Sequence, residues 1–109
     1  MDFKKYQKLS RRTAIYPNRD KDFVYPVLGL VGEAGEVAEK IKRVFREKNG
    51  IIDEETKTAV QKELGDVLWY LAQLATVLGL SLDQIASDNI AKLSARKNRG
   101  TLKGSGDSR

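Results

Sequence analysis

Apolar residues spaced by threes and fours run through most of the chain and constrain its fold more than any other feature. Residues 27–45 carry one such stripe, residues 60–78 a second, and residues 82–93 a shorter third. This spacing is typical of amphipathic helices, and no stretch shows the alternation expected of a strand. The sequence therefore predicts an all-α fold arranged like a four-helix bundle.

Capping residues and glycines indicate where the helices begin and end. A short first helix is predicted over 2–14, and longer helices over about 22–48, 53–78 and 81–99. The predicted boundary residues are Asp20 or Asp22, Asn49 with Gly50, Asp53, Gly79, Ser81 with Gln84, and Gly100. Residues 1–100 are expected to form one domain, followed by a Gly- and Ser-rich tail over 101–109.

The composition limits the chemistry that the chain can perform. Its 109 residues contain neither cysteine nor histidine, which excludes disulfides, thiolate metal sites, zinc sites of the usual kind and histidine general bases. Any metal must therefore be held by oxygen atoms. With no apolar run long enough to span a membrane and no visible secretory signal, we expect a cytoplasmic protein.

The net charge of +5 is distributed unevenly. Residues 1–20 hold six basic and two acidic groups, residues 21–88 eight and twelve, and residues 89–109 six and one. One interpretation is an ordinary mixed surface, and another is that the basic ends hold a polyanion over the acidic middle. Nucleic acid is not expected as a partner, because aromatic residues are not interleaved with the basic ones.

Two pairs of carboxylates, each beside glycine, interrupt the helical stripes. Glu33 and Glu36 lie three residues apart within GEAGE, and Glu63 and Asp66 lie three apart within ELGD. At 100° per residue Glu63 falls inside the apolar stripe of its helix, where an unpaired carboxylate is costly to bury. The four acids could also be ordinary surface carboxylates that pair with Lys40 or Lys62, and for Glu36 this is the simpler interpretation. Four converging acids would repel one another, so a shared Mg²⁺ or Mn²⁺ is predicted.

Other polar residues could complete a site for phosphate. Asn89 falls within the stripe of the fourth helix and is expected to be a buried amide, and Lys92 and Arg96 follow near the same side. Each could equally be an ordinary polar or solvated residue. Trp69 lies opposite the stripe of its helix, and we expect a subunit interface to cover it.

These residues together resemble a known family. The segments GLVGEAGEVAEK, KELGDVLWYL and NIAKLSAR are similar to those of MazG-like nucleoside triphosphate pyrophosphohydrolases, in which ExxE precedes ExxD. The resemblance implies an intertwined dimer or a dimer of dimers and Mg²⁺-dependent cleavage between the α- and β-phosphates. It implies metal-ligand roles for Glu33, Glu36, Glu63 and Asp66. It also implies substrate contacts for Asn89, Lys92 and Tyr70. The tail over 101–109 is expected to close over the site.

The expected activity is hydrolysis of a nucleoside triphosphate to the monophosphate and pyrophosphate, as in house-cleaning of the nucleotide pool. The base would be either a site carboxylate or a metal-bound hydroxide. Among the carboxylates, the sequence does not choose between Glu33, Glu36 and Glu63. Three alternatives stay open: a phosphoribosyl-ATP pyrophosphohydrolase, a non-catalytic nucleotide-binding regulatory module, and a basic nucleic-acid binder.

Overall fold

Four α-helices make up the computed structural model, which describes residues 1–100. Helix α1 spans Phe3–Ser10 and continues into a 3₁₀ turn at Arg11–Thr13. Helices α2, α3 and α4 span Val24–Glu47, Glu54–Val77 and Leu82–Arg99. No strand occurs within residues 1–100, so the all-α prediction is confirmed. The predicted tail, 101–109, lies outside the described residues.

The predicted capping residues of α3 and α4 lie at the helix ends, whereas the N-cap position of α2 is Phe23 and not Asp20 or Asp22. The Asp53 carboxylate accepts a hydrogen bond from the Thr56 backbone N–H at 2.8 Å, which begins α3. The Ser81 hydroxyl accepts one from the Gln84 backbone N–H at 3.2 Å, which begins α4. The Gln84 side chain donates to Asp88, so the structure shows one arm of the predicted capping box.

Helices α2 and α3 form an antiparallel hairpin that carries most of the packing. The contacts run in opposite directions along the two helices: Gly29 near the start of α2 lies against Tyr70 in the second half of α3, and Lys40 in the second half of α2 forms an ion pair with Glu63 in the first half of α3. Gly29 is required by this close approach, because a methyl group there would overlap the Tyr70 ring. The hairpin therefore brings the two carboxylate pairs of the sequence opposite each other.

The N-terminal segment packs on the outer side of α3 through buried polar groups. Gln73 is fully buried; its amide donates to the Ser10 hydroxyl at 2.9 Å and accepts from Arg11 at 3.0 Å. The Trp69 indole N–H lies 3.2 Å from the Ser10 carbonyl and 2.9 Å from the Thr13 hydroxyl. Residues 10–13 of the same chain thus cover part of Trp69, which is half-buried, and the expected subunit interface at Trp69 stays a prediction.

The four helices do not close a bundle within one chain. The axes of α3 and α4 meet at 103°, and the radius of gyration is 16.8 Å, against about 13 Å for a compact chain of this length. Asn89 is exposed, which contradicts its predicted burial. The reason is that the neighbouring apolar residues Ile85 and Ile90 are exposed too, while Leu82 and Arg96 near the helix ends are buried.

No single helix within residues 1–100 is long and apolar enough to cross a bilayer. Helices α3 and α4, which are bent by 103° relative to each other, are so only when their length and composition are taken together.

Candidate active site

Three carboxylates from the two helices of the hairpin converge on one point. Glu33 of α2 and Glu63 and Asp66 of α3 each place an oxygen within 4.8 Å of the other two. Glu33 and Glu63 are half-buried, and Asp66 is exposed. The group therefore contains both of the acids that the sequence predicted on α3 and one of the two that it predicted on α2.

Glu36, the fourth predicted ligand, is exposed and does not belong to this group of three. Three residues correspond to 300° around a helix, so Glu36 is rotated about 60° from Glu33. It is nevertheless close enough for its charge to raise the pKa of Glu33. Its predicted role as a metal ligand stays a prediction.

Burial and the neighbouring carboxyl groups both raise the pKa of Glu33. Partial burial is the main factor that raises its pKa, and the neighbouring Glu63 and Asp66 carboxyl groups raise it further. A group of acids that resists ionisation in this way gains from a bound cation, which removes the repulsion. Three carboxylates without nitrogen or sulfur donors suit a hard divalent ion such as Mg²⁺ or Mn²⁺.

One cation already contacts the group. The Lys40 ammonium lies 3.3 Å from a Glu63 carboxylate oxygen, and both side chains are half-buried, at 27% and 17% exposure. The sequence interpretation treated Lys40 only as a partner for ordinary surface acids. A signal was available, because Lys40 follows Glu33 by seven residues, or two helical turns, and so lies on the same face of α2.

Aromatic side chains form one wall beside the carboxylates. Tyr70 makes an edge contact with Trp69 at 5.0 Å between ring centroids, and a tilted contact with Tyr25 at 6.4 Å. Tyr25 in turn stacks on Tyr16 at 4.7 Å. Burial raises the pKa of Tyr70, with smaller contributions from Tyr25 and Glu33. Tyr70 therefore lies between the aromatic cluster and the acids, as expected of a residue near a substrate.

Three further tyrosines lie near the site, although no sequence pattern indicated this: Tyr6, Tyr16 and Tyr25. Burial, followed by the nearby Asp66 charge, raises the pKa of Tyr6, which places α1 beside the carboxylates. These three residues come from the N-terminal segment and the first turn of α2. No local pattern signals a contact across so many residues of the chain.

The three predicted residues of α4 have different environments. Asn89 and Lys92 are exposed, whereas Arg96 is 2% exposed. Asn89 lies seven residues from the start of α4 and Asp66 eleven from the end of α3, so with a 103° bend they are roughly 15–20 Å apart along the helix axes. Within one chain, Asn89 is therefore not beside the carboxylates.

The raised pKa of Glu33 predicts how pH affects stability. The folded state binds the Glu33 proton more tightly than the unfolded state, so this contribution is present below pH 4.5 and is lost as pH rises through the raised value. Glu33→Gln should therefore raise Tm at pH 7 in metal-free buffer and have no such effect at pH 4, measured by calorimetry.

Glu39→Gln is the matched control for this prediction. Lys42 holds the pKa of the exposed Glu39 below its usual value, so removing the Glu39 charge should leave Tm at pH 7 unchanged or slightly lower. Equal Tm shifts in the two variants at pH 7 would contradict the proposed repulsion at Glu33.

Comparison with known proteins agrees with this geometry. The family model described as "MazG nucleotide pyrophosphohydrolase domain" matches residues 26–101, which include all three converging carboxylates. The chain is also similar to "Gene 37 protein" of Mycobacterium phage L5, at 48% identity over 109 residues that cover 95% of this chain and 96% of the relative. No solved structure matches the chain. The protein thus belongs to the MazG nucleotide pyrophosphohydrolase family.

Proposed function

We propose that the protein hydrolyses nucleoside or deoxynucleoside triphosphates between the α- and β-phosphates, giving the monophosphate and pyrophosphate and so clearing the nucleotide pool. One observation carries the proposal: Glu33, Glu63 and Asp66 converge within 4.8 Å on the hairpin of a chain from this family. The basic N-terminal region and α4 supply positive charge for a polyanionic substrate.

The carboxylates fit a magnesium ion, with manganese as a substitute. Glu33, Glu63 and Asp66 would hold it, and Glu36 could join them through a water molecule or a side-chain rotation. When bound, the ion would neutralise charge that builds on the phosphates during cleavage. Mg²⁺ commonly leaves coordination positions for water and substrate phosphates, which suits a site with a few carboxylates at its base.

The chain's own residues would orient the substrate and accept a proton. One of the site carboxylates Glu33, Glu36 and Glu63 would take the proton from the water that attacks the α-phosphorus. Tyr70, fixed by Gly29 and the aromatic cluster, would contact the nucleoside.

Pyrophosphate release from a panel of NTPs and dNTPs, with and without Mg²⁺, tests the proposal. We expect stoichiometric pyrophosphate and monophosphate, with turnover lost in EDTA and restored by Mg²⁺ or Mn²⁺. Turnover of phosphoribosyl-ATP in preference to the whole panel would change the proposed substrate. Nucleotide binding without pyrophosphate release would indicate a regulatory module, and metal-independent, salt-sensitive DNA binding would contradict the proposal outright.

We also propose that a second copy of the chain covers the exposed apolar stripes. Large apolar residues remain exposed on both helices of the hairpin: Leu28, Val31, Phe45, Leu64, Leu71 and Leu78. An apolar groove of about 310 Å³ joins α2 and α3 near Leu64. Exposed stripes of this length are typical of a surface that packs against another protein. In such a dimer, or dimer of dimers, Asn89, Lys92 and Arg96 could approach the carboxylates of a neighbouring subunit.

Substitution of Leu28 by Lys tests the dimer. Leu28 is 66% exposed on α2, so a charge there should be tolerated in a monomer but should weaken an apolar interface by about tenfold or more. The matched control is Ile15→Lys, because Ile15 is 91% exposed in the loop after α1. Sedimentation that shows wild-type protein as a monomer at all concentrations would contradict the proposal.

A further inference from the structure

A groove lined by charged residues of both signs leads away from the carboxylates along the crevice between α2 and α3. Next to Glu63 it has a volume of about 470 Å³ and is lined by Lys40 and Lys62 together with the acidic Glu55. A second part, of about 190 Å³, continues toward the far end of the hairpin and is lined by three basic residues, Lys40, Arg43 and Lys48, and two acidic ones, Glu47 and Glu55. Lys40 is the basic residue common to both parts.

These basic residues are not equivalent. Lys48 is held by Asp53 at 2.9 Å and donates to the Thr56 hydroxyl at 3.0 Å, so its ammonium is committed to the start of α3. Lys40 instead bonds Glu63, one of the three converging carboxylates. Lys40 is therefore the cation whose pairing must change if Glu63 takes a different partner.

Glu63 cannot give the same carboxylate oxygen fully to both Lys40 and a divalent ion. In the metal-free protein, Lys40 lessens the repulsion among Glu33, Glu63 and Asp66. Once a divalent ion holds Glu63, the Lys40 ammonium loses much of that attraction, and it lines the adjoining groove beside Lys62, where it could pair with an anion instead.

We propose that Lys40 acts as an exchangeable counter-ion: it pairs with Glu63 in the metal-free protein and, after a divalent ion binds, turns to the outer phosphates of the substrate in the adjoining groove. This proposal rests on the proposed pyrophosphohydrolase function. It assigns Lys40 as a substrate-positioning residue and places the pyrophosphate leaving group between α2 and α3, on the side of the carboxylates toward Arg43.

The proposal predicts opposite effects on two equilibria when the Lys40 charge is removed. Lys40→Gln eliminates a competitor for Glu63, so Mn²⁺ should bind about threefold more tightly in the absence of nucleotide, in keeping with a partly exposed ion pair. The same variant loses a charge-assisted bond to phosphate, so inorganic pyrophosphate should bind about tenfold more weakly in saturating Mg²⁺. A residue with a merely structural role would weaken both.

The experiment measures Mn²⁺ binding by electron paramagnetic resonance and pyrophosphate binding by equilibrium dialysis. Lys42→Gln is the matched control, since Lys42 carries the same charge on the same helix but pairs with the exposed Glu39 at 3.0 Å. Both constants should stay within twofold of wild type in this control. Lys40→Arg retains the charge and should restore pyrophosphate binding to a large extent.

The possible failures are distinguishable. If wild-type protein binds Mn²⁺ but Lys40→Gln behaves like Lys42→Gln, or weakens both equilibria, the role of Lys40 is wrong and the proposed function stands. If wild-type protein binds no Mn²⁺, or binds it unchanged after Glu63→Gln, the proposed function fails and the role of Lys40 fails with it.

Discussion

Replacing Glu63 with Gln is expected to lower kcat by about a thousandfold or more, because a correctly held metal supplies several kcal/mol of transition-state stabilisation and each 1.4 kcal/mol is a factor of ten. Glu63 is one of the three mutually close carboxylates, and it also forms the ion pair with Lys40. Asp66→Asn should have an effect of the same order.

The Glu63 variant should fold normally. Gln has nearly the same size and helix propensity as Glu, and losing the partly exposed pair with Lys40 removes at most about 1 kcal/mol. Circular dichroism and Tm should therefore remain close to wild type while pyrophosphate release disappears. Glu39→Gln, on the outer face of α2, is the control that should keep full turnover. Full activity of Glu63→Gln under the same conditions would remove the carboxylates from the mechanism.

The second large effect is expected at Gln73, which joins α3 to the N-terminal segment. Gln73→Ala removes a fully buried side chain and its bonds to Ser10 and Arg11, and we expect it to destabilise the protein by about 2–4 kcal/mol. Urea unfolding at a fixed protein concentration measures this loss. The segment that Gln73 anchors should also become easier to cleave by trypsin at Arg19 and Lys21.

Gln61→Ala is the matched control for Gln73. Gln61 lies on the same helix, is exposed, and its side chain makes no hydrogen bond within residues 1–100, so its replacement should change stability by no more than about 0.5 kcal/mol. If the two variants unfold at the same urea concentration, the buried contacts at Ser10 and Arg11 contribute little, and the N-terminal segment is held mainly by the aromatic cluster.

The helices could be predicted from the sequence because their ends depend on local chemistry. Asp53 and Ser81 cap α3 and α4 through bonds to residues three positions later, and Gly100 closes α4 in the left-handed conformation, with φ of 73°. Each of these signals is contained within a few residues. The pairing of Glu33 with Glu63 and Asp66 was predicted for a similar reason, since helical periodicity gives the direction in which each carboxylate points.

Features that depend on distant contacts could not be predicted in this way. The partner of Trp69 lies more than fifty residues earlier in the chain, and no spacing rule connects the two. The burial expected for Asn89 assumed that each apolar stripe is covered within one chain, whereas Ile85 and Ile90 beside it are exposed. Helical spacing places Lys40 on the same face of α2 as Glu33, but its ion pair with Glu63 crosses the hairpin and could not be predicted from spacing within one helix.

The most direct test is a crystal structure with Mn²⁺ and a triphosphate analogue that resists cleavage between the α- and β-phosphates, using the anomalous signal of manganese to locate the ion. We predict a peak within about 2.5 Å of oxygens from Glu33, Glu63 and Asp66, with a phosphate oxygen of the analogue also in contact. A nucleotide-bound structure with manganese elsewhere, and these three carboxylates in contact with no ion, would contradict the central claim.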